Sequence, residues 1–125
     1  MIDHISVGTN DLARARAFYD AVLVELGIRL LGSSGSSADY GVSGILFSVE
    51  TPVDGNRASS GNGTHIAFAA GSREIVDRFH RAALANGGTD GGAPGLRPNY
   101  DAHYYGAFAF DPDGNKIEAV TRSSK

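Results

Sequence analysis

The chain has no cysteine. That absence excludes a disulfide scaffold, a thiolate zinc site, an iron–sulfur cluster and a cysteine nucleophile, and it fits a reducing compartment. No apolar run reaches the ~18 residues that a membrane-spanning helix needs. The N-terminus lacks a basic segment followed by an apolar stretch, so the expected location is the cytoplasm, with no membrane partner. Excess positive charge is missing too: eleven basic residues face fourteen acidic ones, for a net charge of −3. The basic residues are also scattered, so no nucleic-acid partner is expected. What is abundant is glycine, 17 of 125 residues, in a chain that is 42% hydrophobic. That composition describes one domain over residues 1–125, with a real core and many tight turns.

Residues 1–9 alternate as a strand does, with Ile5 and Val7 on one face and His4, Ser6 and Gly8 on the other. Thr9 or Asn10 can cap the helix that follows, and Asp11 suits its positive end. Leu12, Ala15, Phe18, Tyr19, Val22, Leu23 and Leu26 recur at helical spacing, and Gly27 is a natural stop. Residues 28–31 and 38–50 read as strands around the polar, glycine-rich loop 32–37, and 51–63 is a longer connection of the same kind.

The second half begins as the first did. His65, Ala67 and Ala69 alternate with Ile66 and Phe68, and Ser72 then caps a helix with the stripe Ile75, Val76, Phe79 and Ala83. That helix ends at Asn86-Gly87-Gly88, and a glycine- and proline-rich stretch follows over 91–98. Tyr105–Phe110 and Lys116–Thr121 flank Asp111-Pro112-Asp113-Gly114-Asn115 as a hairpin. Sliding the chain on itself by 61 residues matches His4 with His65, Ile5 with Ile66, Phe18 with Phe79, Leu23 with Leu84 and Gly27 with Gly88. The fold expected is therefore α+β: two βαβββ modules, 1–50 and 64–121, forming a curved mixed sheet with a central cleft. A straight overlay of the last strands places Phe47 where the second half has Glu118.

The repeat lets His4 and His65 face one cleft from equivalent positions, bordered by Glu118. Two imidazoles and a carboxylate suit a divalent ion with open coordination positions: zinc, manganese, iron(II), nickel or cobalt rather than calcium. Small neighbours on the same faces leave room for it: Ser6 and Gly8 beside His4, Ala67 and Ala69 beside His65. Each residue alone also has a plainer reading, since a strand histidine is commonly a hydrogen-bonded structural residue and Glu118 can be an edge-strand charge. His80, following Phe79 on its helix, is expected at the surface, and His103 falls in a polar loop.

Ile2-Asp3-His4-Ile5-Ser6-Val7, Asn10-Asp11-Leu12, Phe18-Tyr19, Gly63-Thr64-His65-Ile66-Ala67-Phe68 and the run from Tyr105 to Glu118 together resemble the vicinal oxygen chelate superfamily. That superfamily is the glyoxalase, bleomycin-resistance and extradiol-dioxygenase group. The likeness spans essentially the whole chain, and Asp111-Pro112-Asp113-Gly114-Asn115-Lys116-Ile117-Glu118 is its most specific element. It implies two βαβββ modules curling into an open cup, usually in a homodimer. It also implies a metal on His4, His65 and Glu118 that engages two neighbouring substrate oxygens and stabilises developing negative charge. The fourth ligand position of glyoxalase I falls on Phe47 or Ser48, neither a good ligand, which argues against lactoylglutathione lyase activity. The set is more similar to that of the fosfomycin-resistance transferases and the ring-cleaving dioxygenases, the latter generally longer chains.

Tyr104 and Arg97 are the candidate catalytic groups. Tyr104, with Tyr100 and Tyr105, either offers a phenol to a bound oxyanion or packs the loop. Arg97 either pairs with a substrate carboxylate or thiol cofactor or braces the loop. Two functions follow from the sequence. One is a metal-dependent lyase, isomerase or thiol transferase acting on a small oxygen-rich metabolite or xenobiotic. The other is a metal-free drug-binding protein of the bleomycin-resistance type.

Overall fold

Period-2 and period-3.6 patterns each settle into the element they suit. The structure, a computed structural model, describes residues 1–125. In the first half it contains β1 (Ile5–Gly8), α1 (Leu12–Leu23) with a 3-10 turn (Val24–Leu26), β2 (Arg29–Ser33), β3 (Ser37–Gly41) and β4 (Ile45–Glu50). The second half repeats the order with β5 (His65–Ala69), α2 (Arg73–Ala85), β6 (Thr89–Leu96), β7 (Tyr105–Phe110) and β8 (Lys116–Thr121). Each module builds one four-stranded sheet, in the orders β1-β4-β3-β2 and β5-β8-β7-β6. The pairs β1/β4 and β5/β8 are parallel, and the remaining pairs are antiparallel.

Local details differ from the sequence reading for identifiable reasons. Asp11, rather than Thr9 or Asn10, caps α1, accepting from the Arg14 amide. Residues 38–50 divide into two antiparallel strands around Val42-Ser43-Gly44. The stretch 91–98 is largely strand: β6 runs through Gly91, Gly92, Pro94 and Gly95 because it is an edge strand, where a missing donor at Pro94 is tolerated. Gly27 closes the first helix in the left-handed region at φ 77°, its amide donating to the Val24 carbonyl.

Both helices pack on one face of their sheets and against each other. Ala15, Phe18, Tyr19, Val22 and Leu23 from α1 join Ala38, Tyr40, Phe47 and Val49, while Val76, Phe79 and Ala83 from α2 join Phe68, Ala107, Ala109, Ile117 and Ala119. These form one core across both modules, and each large side chain buried there contributes about 1.5–3 kcal/mol. Phe47 bridges the halves, with its ring centroid 4.8 Å from Tyr19 and 5.4 Å from Phe68. Gly88 permits a close approach, since a Cβ there would lie 2.7 Å from the Phe18 ring.

The Asp111–Asn115 turn fastens the second module to the first. Buried Asp111 accepts hydrogen bonds from the Tyr19 hydroxyl, the Asp113 and Asn115 amides and the Asn115 side chain. Asn115 Nδ2 also donates to the Gly8 carbonyl. Asp113 accepts from the Thr9 hydroxyl, the Asn10 amide and Arg14. The chain's most specific motif is thus an inter-module clasp built around one buried carboxylate.

Candidate metal and substrate site

The pairing register decides which side chains face away from the helices. In the second sheet His65 pairs with Lys116, Ala67 with Glu118, and Glu118 with Phe108 across β7. Directly paired residues share a face. His65, Lys116, Glu118 and Phe108 therefore rise together from the side opposite α2. They line a cavity of about 810 Å³ with Arg97, Asn99, Tyr100, Tyr104, Arg122 and, from β6, Gly91 and Gly92.

At its head, Glu118 is 1% exposed and His65 45% exposed, with His65 Nε2 lying 3.1 Å from Glu118 Oε1. The Tyr104 hydroxyl donates to the other carboxylate oxygen, Oε2, at 2.5 Å. Gly106 makes this convergence possible, because a Cβ there would stand 2.9 Å from Oε2 and 3.2 Å from the Tyr104 ring. His65 and Glu118 are two of the three donors expected for a metal ion. Ligand atoms about 2.1 Å from a shared ion sit roughly 3.0 Å apart in cis octahedral and about 3.4 Å apart in tetrahedral geometry, and the observed spacing lies between these values. A phenol on the far carboxylate oxygen is the kind of partner that orients a metal-bound carboxylate.

The structure brings His65, Glu118 and Tyr104 together and sets Arg97 on the cavity wall. It does not bring His4 to them: no cluster of three His, Cys, Asp or Glu residues forms within one chain. His4 is half-exposed just before edge strand β1, with Nδ1 2.7 Å from the Asp3 carboxylate. His103 is exposed and does not line the cavity. His80 is not a surface residue: it is buried on α2, with Nε2 2.9 Å from Asp90, which that bond and the Gly92 amide hold below the usual carboxylate range.

The straight overlay of the two halves is corrected by one residue. Ile5 pairs with Phe47 as Ile66 pairs with Ile117, and Ser6 pairs with Ser48 as Ala67 pairs with Glu118. The counterpart of Glu118 is thus Ser48, whereas Phe47 matches Ile117 in the core. Ser48 donates to Asp39 Oδ1 at 2.7 Å, and Asp39 pairs with it across β3 as Phe108 does with Glu118. The sequence reading missed Asp39, together with Lys116 and Arg122. The alternation of β8 carried a signal for Lys116, which sits two residues before Glu118.

Burial, and then the hydrogen bond to Glu118, push the Tyr104 hydroxyl up to about 12, so it remains a proton donor well past neutrality. Tyr19, Tyr40 and Tyr105 are raised as well, the first two chiefly by burial and Tyr105 chiefly by its bond to Asp77. Below pH ~10 these phenols are neutral in both folded and unfolded chains. Above it, the unfolded chain loses its phenolic protons first, so stability falls as pH rises. Thermal unfolding should therefore show a steep loss of melting temperature between pH ~10 and ~12. Tyr19→Phe and Tyr104→Phe should shallow that loss, and absorbance at 295 nm should show delayed ionisation in the folded protein.

The chain belongs to the Glyoxalase/Bleomycin resistance protein/Dioxygenase superfamily, whose sequence model matches residues 1–119. It is 43% identical to a glyoxalase/bleomycin resistance protein from Albidiferax ferrireducens T118, at a TM-score of 0.88, over 96% of this chain and 97% of that one. A glyoxalase-related enzyme from Fulvimarina pelagi is similar at 19% identity and TM-score 0.75, over 96% and 86% of the two chains. The fosfomycin resistance protein FosX from Mesorhizobium loti gives 17% and 0.69, over 97% and 91%. The last two likenesses show the fold alone. No curated protein matches the chain. No helix here is long and apolar enough to cross a membrane.

Proposed function

We propose that the chain is a divalent-metal enzyme of the glyoxalase and fosfomycin-resistance kind, in which His65 and Glu118 hold the ion with His4 from a second copy. The observation that carries this reading is the 3.1 Å spacing of His65 Nε2 and Glu118 Oε1 at the head of an open cavity. His4 is half-exposed beside an edge strand and joins no third ligand within its own chain. A two-fold dimer would let each copy complete the other's site. The bound ion would supply Lewis acidity toward neighbouring oxygens of a small oxygen-rich metabolite or xenobiotic. Tyr104 fixes the carboxylate and keeps its proton, Phe108 walls the cavity, and the substrate enters from the open side. The reaction class lies among lyase, isomerase and thiol transfer.

A second reading, a metal-free binding protein, draws on the same geometry. His65, Glu118 and Tyr104 satisfy one another by hydrogen bonds without any ion. Metal analysis of protein purified without chelator separates the two readings. The enzyme reading expects about one ion per chain, lost in His4→Ala and in His65→Ala. Unfolding and refolding the two variants together should restore about a quarter of the wild-type metal, because each mixed dimer holds one intact site. No metal in the wild type, even after reconstitution, would leave the binding protein. Metal retained by His4→Ala would remove the shared site.

A further inference from the structure

The cavity wall carries a charge pattern that the metal ligands do not explain. Arg97, Lys116 and Arg122 line it against one carboxylate, Glu118, in a molecule whose net charge is −3. Arg122 is paired with Asp101 at 3.4 Å. Arg97 and Lys116, by contrast, make no ion pair: no carboxylate lies within 4.0 Å of either. Both are held over the Phe108 ring, with the Arg97 guanidinium carbon 5.6 Å and Lys116 Nζ 5.0 Å from its centroid.

The position of Arg97 is built into the backbone. Its Nη2 donates to the Ala93 carbonyl at 2.8 Å, and its own amide donates to the Tyr104 carbonyl. A Cβ on Gly92 would stand 3.3 Å from Nη2, and one on Gly95 3.2 Å from Nη1. The glycines of β6 therefore make space for a guanidinium folded back over the sheet. Most of its N–H donors are left without a protein acceptor, in a fork that matches an oxyanion. Lys116 stands beside His65 in the register and adds a point charge on the same face.

We propose that Arg97 and Lys116 form an anion subsite on the Phe108 wall, so that the compound this cavity takes carries a carboxylate or phosphoryl group there. The inference rests on the proposed function only for the identity of the cavity. The two cations orient that end of the molecule and leave its other oxygens facing His65 and Glu118. A positive cleft in an acidic protein also concentrates anions at its mouth.

The test uses the full-length chain as purified, with its metal content measured, titrated with benzoate, phenylphosphonate and the neutral benzamide. Both anions should bind at least about tenfold tighter than benzamide at low salt, with the advantage shrinking as salt is added. Preference for phenylphosphonate assigns a phosphoryl group, and preference for benzoate a carboxylate. Arg97→Gln and Lys116→Gln should each lose about tenfold, and the double variant should bind the anions no better than benzamide. Unchanged circular dichroism and metal content in the double variant confirm that its fold and metal ligands are intact. Equal binding of benzoate and benzamide by the wild type, or undiminished anion binding by the double variant, overturns the subsite. A His65→Ala protein that binds no metal but keeps the anion preference supports the subsite independently. Metal absent from the wild type even after reconstitution would sink the metal-enzyme reading alone.

Discussion

Glu118→Gln is expected to abolish metal retention while leaving the fold as stable as the parent, or slightly more so. The carboxylate is almost wholly buried, and its two oxygens serve His65 and Tyr104. A buried carboxylate that is not balanced by a fixed cation is costly to desolvate. An amide keeps the acceptor that Tyr104 needs and offers its NH2 toward His65, so the change in stability should stay within about 1 kcal/mol. A metal held as proposed would suffer differently, because a neutral amide is a poor ligand where the site needs charge. Even partners that only orient a ligand are worth about 10–100-fold in affinity, so replacing the ligand itself should cost at least about a hundredfold. Glu118→Ala separates the two effects: it orphans the Tyr104 hydroxyl and should cost about 1–3 kcal/mol besides. Calorimetric metal titration alongside thermal unfolding reads both quantities. A Glu118→Gln protein that holds metal like the wild type would make Glu118 a structural residue.

That His65 and Glu118 share a face was legible in the sequence and their distance from His4 was not, for reasons that follow from what a sequence encodes. Alternation over His65–Ala69 and over Lys116–Thr121 assigns a face to each side chain, and the repeat assigns equivalent strands. Neither says which sheets share a cavity. Within one chain the two sheets meet through their helix-facing cores, at Tyr19, Phe47 and Phe68, so their open faces need not enclose one space. The displaced overlay of Phe47 on Glu118 has a similar origin. Sequence matching aligned two hydrophobic runs, whereas the parallel pairing of β1 with β4 sets the register one residue away. The βαβββ pattern calls for a strand after α2, but the glycines and Pro94 of 91–98 hide its residues, although an edge strand beside β7 needs few of its own donors and gains room for Arg97. His80 looked like a surface residue because it lies one position past the apolar stripe, yet Asp90 gives its ring a polar partner at the margin of the core. The Asp111–Asn115 turn was read correctly as a hairpin, but its long-range bonds could not be read from local pattern.

Those long-range bonds carry the largest stability effect expected of any polar side chain here. Asp111 is 4% exposed and accepts four hydrogen bonds, two from backbone amides and two from side chains. Each charged hydrogen bond of this kind contributes about 1.5–3 kcal/mol, and the losses do not add when one group serves several donors. Asp111→Ala should cost roughly 3–5 kcal/mol, because it also strands the buried Tyr19 hydroxyl and Asn115 amide. For a chain of this size that corresponds to a fall of about 10–20 °C in melting temperature. Tyr19→Phe removes one donor and leaves no buried group unsatisfied on its own side, so its cost should be nearer 1 kcal/mol. Because the clasp ties the second module's hairpin to Gly8, Thr9 and α1, losing it loosens one module against the other rather than unravelling either sheet. Hydrogen exchange of Asp111→Ala at a temperature where it remains folded should show faster exchange at Thr9, Asn10 and 113–115, with the β7–β8 ladder still protected. Uniform loss of protection across both sheets would mean that the modules do not open separately. An unchanged melting temperature would mean that the core alone holds them together.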